Sequence, residues 1–154
     1  GRLPTETEWE YAARYAVSFD MGIPVGPAGR RYPWGNELPG CQANYAELST
    51  SCPSRPQHPW PVGTSQSVAL LYDMAGNVAE WTADLFGEYG ADPCWGGDAV
   101  RFNPVCVAAG GDQRVLRGGS YSSRGSGIRS TARDHSSAAG MAEGRGFRCV
   151  HVSP

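Results

Sequence analysis

The sequence contains no lysine, so all 13 of its basic residues are arginines, set against 15 acidic residues and a net charge of -2. Without lysine the chain has no Schiff-base amine, no anchor for pyridoxal phosphate and no phosphate-loop lysine. Its charge balance argues against general binding of nucleic acid. No apolar run approaches the roughly 18–20 residues that span a membrane. These absences exclude several functional classes and predict no nucleic-acid partner and no membrane span.

Glycine and proline are abundant, with 21 and 12 residues, and aromatic residues make up 10% of the chain. Disordered chains are poor in aromatic residues, so this composition predicts a folded but irregular and turn-rich protein. Domains typically contain about 100–200 residues, and the 154 residues therefore predict a single domain over 1–154.

Four of the five cysteines form two closely spaced pairs. Cys41 and Cys52 bracket one Ser/Pro-rich stretch, Cys94 and Cys106 bracket another, and short disulfide loops often staple such segments. The alternative is five reduced thiols in a cytosolic protein, although no CxxC or Cys/His pair has zinc-ligand spacing. We therefore predict disulfides within each pair, with Cys149 left over, and an extracytoplasmic location, either periplasmic or secreted.

Local patterns predict one helix and a small sheet. Thr5 and Glu8 form a capping box ahead of apolar residues at helical spacing, which predicts a helix from residue 5 to about 16. Four short β-prone segments are expected as strands: residues 69–72, 78–82, 114–117 and 147–152. The segment 122–145 is dominated by Ser, Gly, Ala and Arg with little periodicity, which predicts a long loop.

Seven motifs occur in a fixed order along nearly the whole chain. They are RLPTETEWEYAAR at 2–14, YPWGN at 32–36, ANY at 43–45, PVG at 61–63, LYDMAGNVAEWT at 71–82, RVLRGGSY at 114–121 and GFR at 146–148. In this order they resemble the sulfatase-modifying-factor family, which includes the formylglycine-generating enzymes. The resemblance implies an α+β, C-type-lectin-like fold that is irregular and loop-rich with small antiparallel sheets. It also leads us to expect that the N-terminal part of the family's domain is missing here.

The resemblance separates this chain from the family's copper oxidases. Formylglycine generators hold Cu(I) with two cysteines after the Gly-Gly-Ser-Tyr motif, because soft thiolates suit that ion. The corresponding positions are Ser123 and Ile128, and neither side chain is a suitable Cu(I) ligand. Ser120 matches a serine of the family's active site, whereas Ala79 replaces a neighbouring tryptophan. We therefore expect a degenerate site without copper and a chain that is not an enzyme.

Calcium is the cofactor that the resemblance implies. Two carboxylates seven residues apart flank a Gly-Asn turn, and hard cations take an all-oxygen shell. The implied ligands are Asp73, Glu80 and the backbone oxygens of Gly76 and Val78. The alternative is that Asp73 caps a turn and Glu80 is a surface strand residue. A second calcium site would begin at Asn44 and the carbonyl of Tyr45, but the aspartate expected before residue 61 is absent, which makes this site doubtful.

Three functions stay open. The first is a ligand-binding or accessory module, with a protein or small-molecule ligand, that uses the 122–145 loop. Its candidate contact residues are Tyr121, Ser122, Ser123, Arg124, Arg129, Arg133, Asp134 and His135. The second is an oxidoreductase of the same family, of formylglycine-generating or sulfoxide-synthase type, with ligands supplied elsewhere. The third is a variable protein of a diversity-generating retroelement, in which the same interval would be diversified.

Overall fold

The computed structural model describes residues 1–15, 29–47, 52, 58–65, 70–91, 93–108 and 110–151. In chain order, its regular elements are α1 (Glu6–Tyr15), β1 (Ala79–Leu85), β2 (Gln113–Arg117), the 3-10 helix η1 (Gly125–Ile128), β3 (Arg133–Ser137) and β4 (Arg145–Phe147). No helix in these ranges is long and apolar enough to cross a membrane.

The four strands form one sheet in the order β3-β2-β1-β4. Strand β2 pairs antiparallel with both β1 and β3, whereas β4 pairs parallel with β1. The sheet is therefore mixed, and the antiparallel expectation is correct for three strands but wrong for β4. Glu80 lies at the centre of the sheet, opposite Arg117 on one side and Gly146 on the other.

Helix α1 begins where the capping box predicts. The amide of Thr5 donates to Glu8 Oε2 at 2.8 Å, and the amide of Glu8 donates to Thr5 Oγ1 at 3.1 Å. These bonds satisfy two of the amides that a helix N-terminus leaves unpaired. One face of the helix is buried, because Trp9 and Ala13 pack against Met74. The described helix ends at Tyr15, and residue 16 lies outside the described ranges.

Two strand predictions are confirmed and two differ from the structure. Segments 78–82 and 114–117 correspond to β1 and β2. The 147–152 strand is wrong beyond Phe147, where β4 ends: Val150 makes only an isolated bridge with Arg2, and residue 152 lies outside the described ranges. In segment 69–72, residue 69 lies outside the described ranges and Leu70 has φ of 64°, which is incompatible with a strand. Strand β3 falls within the segment predicted as a loop.

Both predicted disulfides are present. Cys41 bonds to Cys52 and Cys94 bonds to Cys106, whereas Cys149 is free and exposed. The second disulfide is tied to the sheet because the amide of Cys106 donates to Asp84 Oδ1 at 2.7 Å. The two disulfides brace segments of the described chain that contain little regular structure.

Candidate functional site

The Gly-Gly-Ser turn after β2 packs directly against η1. Gly119 has φ of 65°, and a β carbon placed there would lie 2.6 Å from the carbonyl oxygen of Gly127 and 2.9 Å from Cγ2 of Ile128. Such distances are shorter than real β-carbon contacts, so the close approach requires glycine. This turn fixes where η1 and the residues beside it lie.

Three serine hydroxyls meet at this turn. Ser120 Oγ lies 3.0 Å from Ser122 Oγ and 3.4 Å from Ser123 Oγ. The amide of Ser120 also donates to Ser123 Oγ at 3.0 Å. The hydroxyl that replaces a family cysteine is therefore engaged in holding the turn.

Ile128, at the second copper position, belongs to the core. It is fully buried in a cluster with Tyr32, Tyr45 and Ala75. An alkyl side chain offers no donor atom, and the Ser123 hydroxyl is a poor ligand for Cu(I). Within the described ranges, no three His, Cys, Asp or Glu side chains form a group that could hold a metal. These residues do not fit the copper ion that the resemblance associates with this position.

The two carboxylates expected to bind calcium line one cavity of about 410 Å³. Asp73 accepts hydrogen bonds from the amide of Gly63 at 2.6 Å and the amide of Ser65 at 3.2 Å, through different oxygens. A carboxylate oxygen accepts two hydrogen bonds, so each Asp73 oxygen retains a lone pair after its backbone contact. Asp73 therefore fits the calcium prediction as well as a turn-capping role.

Glu80 is buried and satisfied by three donors. Trp9 Nε1 and Arg148 Nε each donate to Oε2 at 2.6 Å, and Arg148 Nη2 donates to Oε1 at 2.6 Å. The guanidinium neutralises the charge of Glu80, and a lone pair on Oε1 remains for a ligand. A calcium ion bound there would therefore have to share the carboxylate with the Arg148 guanidinium or displace it. Calcium binding stays a prediction.

At the second calcium position, one oxygen of a buried side chain has no partner. Asn44 donates through Nδ2 to the carbonyl of His58 at 3.1 Å, and its Oδ1 accepts no hydrogen bond from the residues that the structure describes. An unpaired buried oxygen of this kind fits a hard cation. The positions near the missing aspartate, Ser54 and Arg55, lie outside the described ranges.

The candidate contact residues separate into two groups. Residues 121–124 and Arg129 surround η1, whereas Asp134 and His135 lie on the edge strand β3. The His135 ring packs on Phe86 with centroids 4.1 Å apart. The loop expected over 122–145 is thus divided between two surfaces, one around a 3-10 turn and one along a sheet edge.

Arg133 differs most from its expected role as a contact residue. Its Nη2 donates to Glu6 Oε2 at 2.9 Å, and its Nε donates to Glu6 Oε1. Its guanidinium also lies over Tyr89, 4.1 Å from the ring centroid. Burial raises the pKa of Tyr89 to about 12, with the Glu6 charge adding to the effect. Arg133 is therefore part of the framework that joins α1 to the sheet.

One residue beside η1 was missed by sequence reasoning. The amide of Ser130 donates to the carbonyl of Arg31 at 2.8 Å, which places Arg31 next to Arg129 although they are distant in sequence. The sequence offers only a weak signal for this, the Arg-Arg pair before the YPWGN motif.

The small sheet and the single α-helix of the described ranges belong to an α+β protein of C-type-lectin-like fold. The family model for the sulfatase-modifying factor enzyme 1-like domain matches residues 1–152, and the chain belongs to this family. The prediction from the seven motifs is confirmed.

The relatives match nearly the whole of this chain but are themselves longer. The formylglycine-generating enzyme of Streptomyces coelicolor is 34% identical over 97% of this chain and 46% of its own length. A Chlamydia trachomatis serine/threonine-protein kinase, Pkn1, is 34% identical over 97% of this chain and 21% of its own. The solved structure of Treponema denticola variable protein 1 superposes with a TM-score of 0.67 at 27% identity, covering 95% of this chain and 45% of that one. The chain thus spans about half the length of the Streptomyces enzyme.

Proposed function

We propose that this domain is a ligand-binding module without copper oxidase activity, and that it recognises its ligand through the surface around η1. The observation that carries this proposal is that the residues at the two copper-ligand positions have structural roles. Ser123 holds the Gly-Gly-Ser turn, and Ile128 is fully buried in the core. A site built in this way serves packing rather than redox chemistry.

The surface around η1 has the properties of a recognition site. Its backbone is fixed from two sides, because Tyr32 Oη donates to the carbonyl of Gly125 at 3.1 Å and the amide of Ala46 donates to the carbonyl of Ser123 at 2.9 Å. Polar side chains are exposed on this rigid support: Ser122, Arg124, Ser126 and Arg129. Loops positioned by a rigid scaffold commonly carry binding function.

The comparisons support a modular role. In the Chlamydia kinase the matching region is only 21% of the protein, so the domain occurs there as one part of a larger chain. The likeness to the Treponema variable protein favours a second candidate of the same binding class. In that candidate the domain is a variable protein of a diversity-generating retroelement. A nearby reverse transcriptase and template repeat would support it, and an invariant 122–145 segment across clonal isolates would contradict it.

Copper titration tests the loss of the oxidase. All proteins should carry Cys149→Ser, because an exposed free thiol itself binds Cu(I). Anaerobic titration against a chromogenic Cu(I) chelator should show no stoichiometric site, and a cysteine-containing sulfatase peptide should stay unoxidised. The matched gain-of-site variant Ser123→Cys/Ile128→Cys shows that the assay detects a thiolate pair. Tight one-to-one copper binding with peptide oxidation in the Cys149→Ser parent would instead establish the oxidoreductase alternative.

Binding itself is tested on an array of immobilised peptides and glycans probed with the labelled domain. We expect selective binding that Ser126→Trp reduces at least tenfold, since 1.4 kcal/mol of lost contact corresponds to about that factor. Ala108→Trp is the matched control, because it adds the same bulky side chain at an exposed position outside η1. Absence of selective binding, or equal loss in both variants, contradicts the proposal.

A further inference from the structure

The arginine side chains of the described ranges divide by their partners. Those paired with carboxylates are Arg2, Arg14, Arg117, Arg133 and Arg148. Those that donate to backbone carbonyls are Arg30, Arg101, Arg114 and Arg145. The remaining side chains, Arg31, Arg124 and Arg129, are exposed and have no partner within the part of the chain that the structure describes. Within the described ranges, these three guanidinium groups are therefore the ones available to bind a ligand.

The main chains of these three arginines come close together around η1. Arg124 and Arg129 flank the four residues of η1, and a 3-10 helix rises about 2 Å per residue, so their backbones lie roughly 10 Å apart. Arg31 adjoins Arg129 through the hydrogen bond from Ser130 to the Arg31 carbonyl. We call Arg31, Arg124 and Arg129 the arginine face. Its positive charge is local, since the chain as a whole carries -2.

The surroundings of the arginine face add both polar and apolar contacts. Ser122 and Ser126 are exposed beside it, and their hydroxyls can donate to an anion. Leu38 is 66% exposed, and its Cδ2 lies 3.1 Å from where a β carbon of Gly125 would be. The carboxylate of Glu47 accepts from the amide of Gly125 at 3.0 Å and partly offsets the positive charge. Exposed Glu37 lies in the neighbouring turn.

We infer that the arginine face binds an acidic peptide segment of a partner protein. This inference rests on the proposed function and names the chemistry of its ligand. A guanidinium presents a planar fork that grips a carboxylate with two hydrogen bonds, and arginine clusters recognise acidic motifs. The exposed leucine at the edge favours a peptide that carries apolar side chains among its carboxylates. A sulfated polysaccharide would match the arginines and leave Leu38 without an apolar contact.

Fluorescence anisotropy tests the inference with a labelled peptide of alternating glutamate and leucine. Arg31→Glu, Arg124→Glu and Arg129→Glu should each weaken binding about two- to fivefold, the range expected for exposed ion pairs. If the three effects are independent, the triple variant should weaken binding by about 8- to 125-fold. Arg101→Glu is the matched control, because it changes the net charge equally outside the face and should leave affinity within experimental error. Glu47→Gln should strengthen binding, because it removes a competing carboxylate and keeps an acceptor for Gly125.

The outcomes separate this inference from the proposed function. If Ser126→Trp blocks array binding but the arginine variants bind the acidic peptide normally, the function holds and the inference fails. Equal weakening by Arg101→Glu would mean a nonspecific charge effect and would also overturn it. Heparin that binds more tightly than the peptide, with the same arginine dependence, would assign the face to a glycan instead. Circular dichroism and the corresponding Arg→Gln variants exclude misfolding as the cause of any loss.

Discussion

Arg148 and Glu80 form a two-pronged ion pair, with Nε and Nη2 each 2.6 Å from a different carboxylate oxygen. The pair joins the GFR motif at the end of β4 to the LYDMAGNVAEWT motif at the start of β1, and Trp9 adds a bond from α1. Three sequence motifs that are distant along the chain therefore meet at one buried carboxylate. The framework of this domain depends on that meeting point.

Removing the guanidinium should destabilise the domain strongly. The Glu80 side chain is only 5% exposed, so Arg148→Ala leaves a buried carboxylate without its countercharge. Truncating one partner of a buried pair costs about 3–5 kcal/mol, and the partial exposure of Arg148 places our expectation near 3 kcal/mol. Urea unfolding measures the change. Arg2→Ala, which breaks the exposed pair with Glu8, is the control and should cost much less. Equal losses would contradict a central role for Glu80.

Calcium should stabilise the native chain against heat. If calcium binds only the folded state at the Asp73–Glu80 cavity, saturation at about 100 times the dissociation constant adds roughly 2.7 kcal/mol. Glu80→Gln should remove most of this increment. Glu80→Gln also weakens the ion pair with Arg148 and so lowers stability by itself. For each protein we therefore compare the melting temperature in calcium with the melting temperature in chelator. Identical curves for the parent chain, or an increment that survives Glu80→Gln, would exclude these carboxylates as ligands.

Local signals in the sequence predicted the elements that depend on local interactions. The capping box of Thr5 and Glu8 satisfies amides within one helical turn, and both disulfides close short loops. Strands β1 and β2 carry enough β-prone residues to be recognised. In each case, interactions between residues close in sequence were sufficient.

Elements that depend on distant partners were not predictable in the same way. Strand β3 is polar and half exposed, and it is ordered by pairing with β2, as between Val115 and His135. Strand β4 ends at Phe147, where its pairing with β1 ends, although the residues that follow are also β-prone. The arginine face depends on the Ser130–Arg31 contact between segments far apart in sequence. Such contacts leave no periodic pattern.

The helix cap should make stability depend on pH. The hydrogen bond from Arg2, aided by the amide of Thr5, lowers the pKa of Glu8 to about 2 from 4.5. Because the folded value lies below the unfolded one, the stabilisation is complete above pH 4.5 and is lost as pH falls towards 2. The side chain is 40% exposed, so solvent screening limits the effect to about 0.5 kcal/mol.

Urea unfolding across the acid range measures this effect as a difference between the parent and Glu8→Gln. The difference in unfolding free energy between the two proteins should shrink as pH falls from 4.5 towards 2. Burial raises the pKa of Asp84, which gives the opposite slope, but this contribution is common to both proteins and cancels. A constant difference across the range would show that the Glu8 charge is unimportant for the cap.

The close approach between the Gly-Gly-Ser turn and η1 predicts an unusually costly glycine substitution. An alanine at Gly119 would have to adopt a positive φ of 65°, and its β carbon would lie 2.6 Å from the carbonyl oxygen of Gly127. An alanine at Gly90 would have to adopt a positive φ of 81°, but no atom lies within 4 Å of its β carbon. Gly90→Ala is therefore the matched control for backbone strain alone. Gly90→Ala should cost about 1 kcal/mol, and Gly119→Ala should cost clearly more because η1 must move. Urea unfolding gives both values. Equal costs would mean that the turn yields without displacing η1, and the surface proposed for ligand recognition would then not depend on this contact.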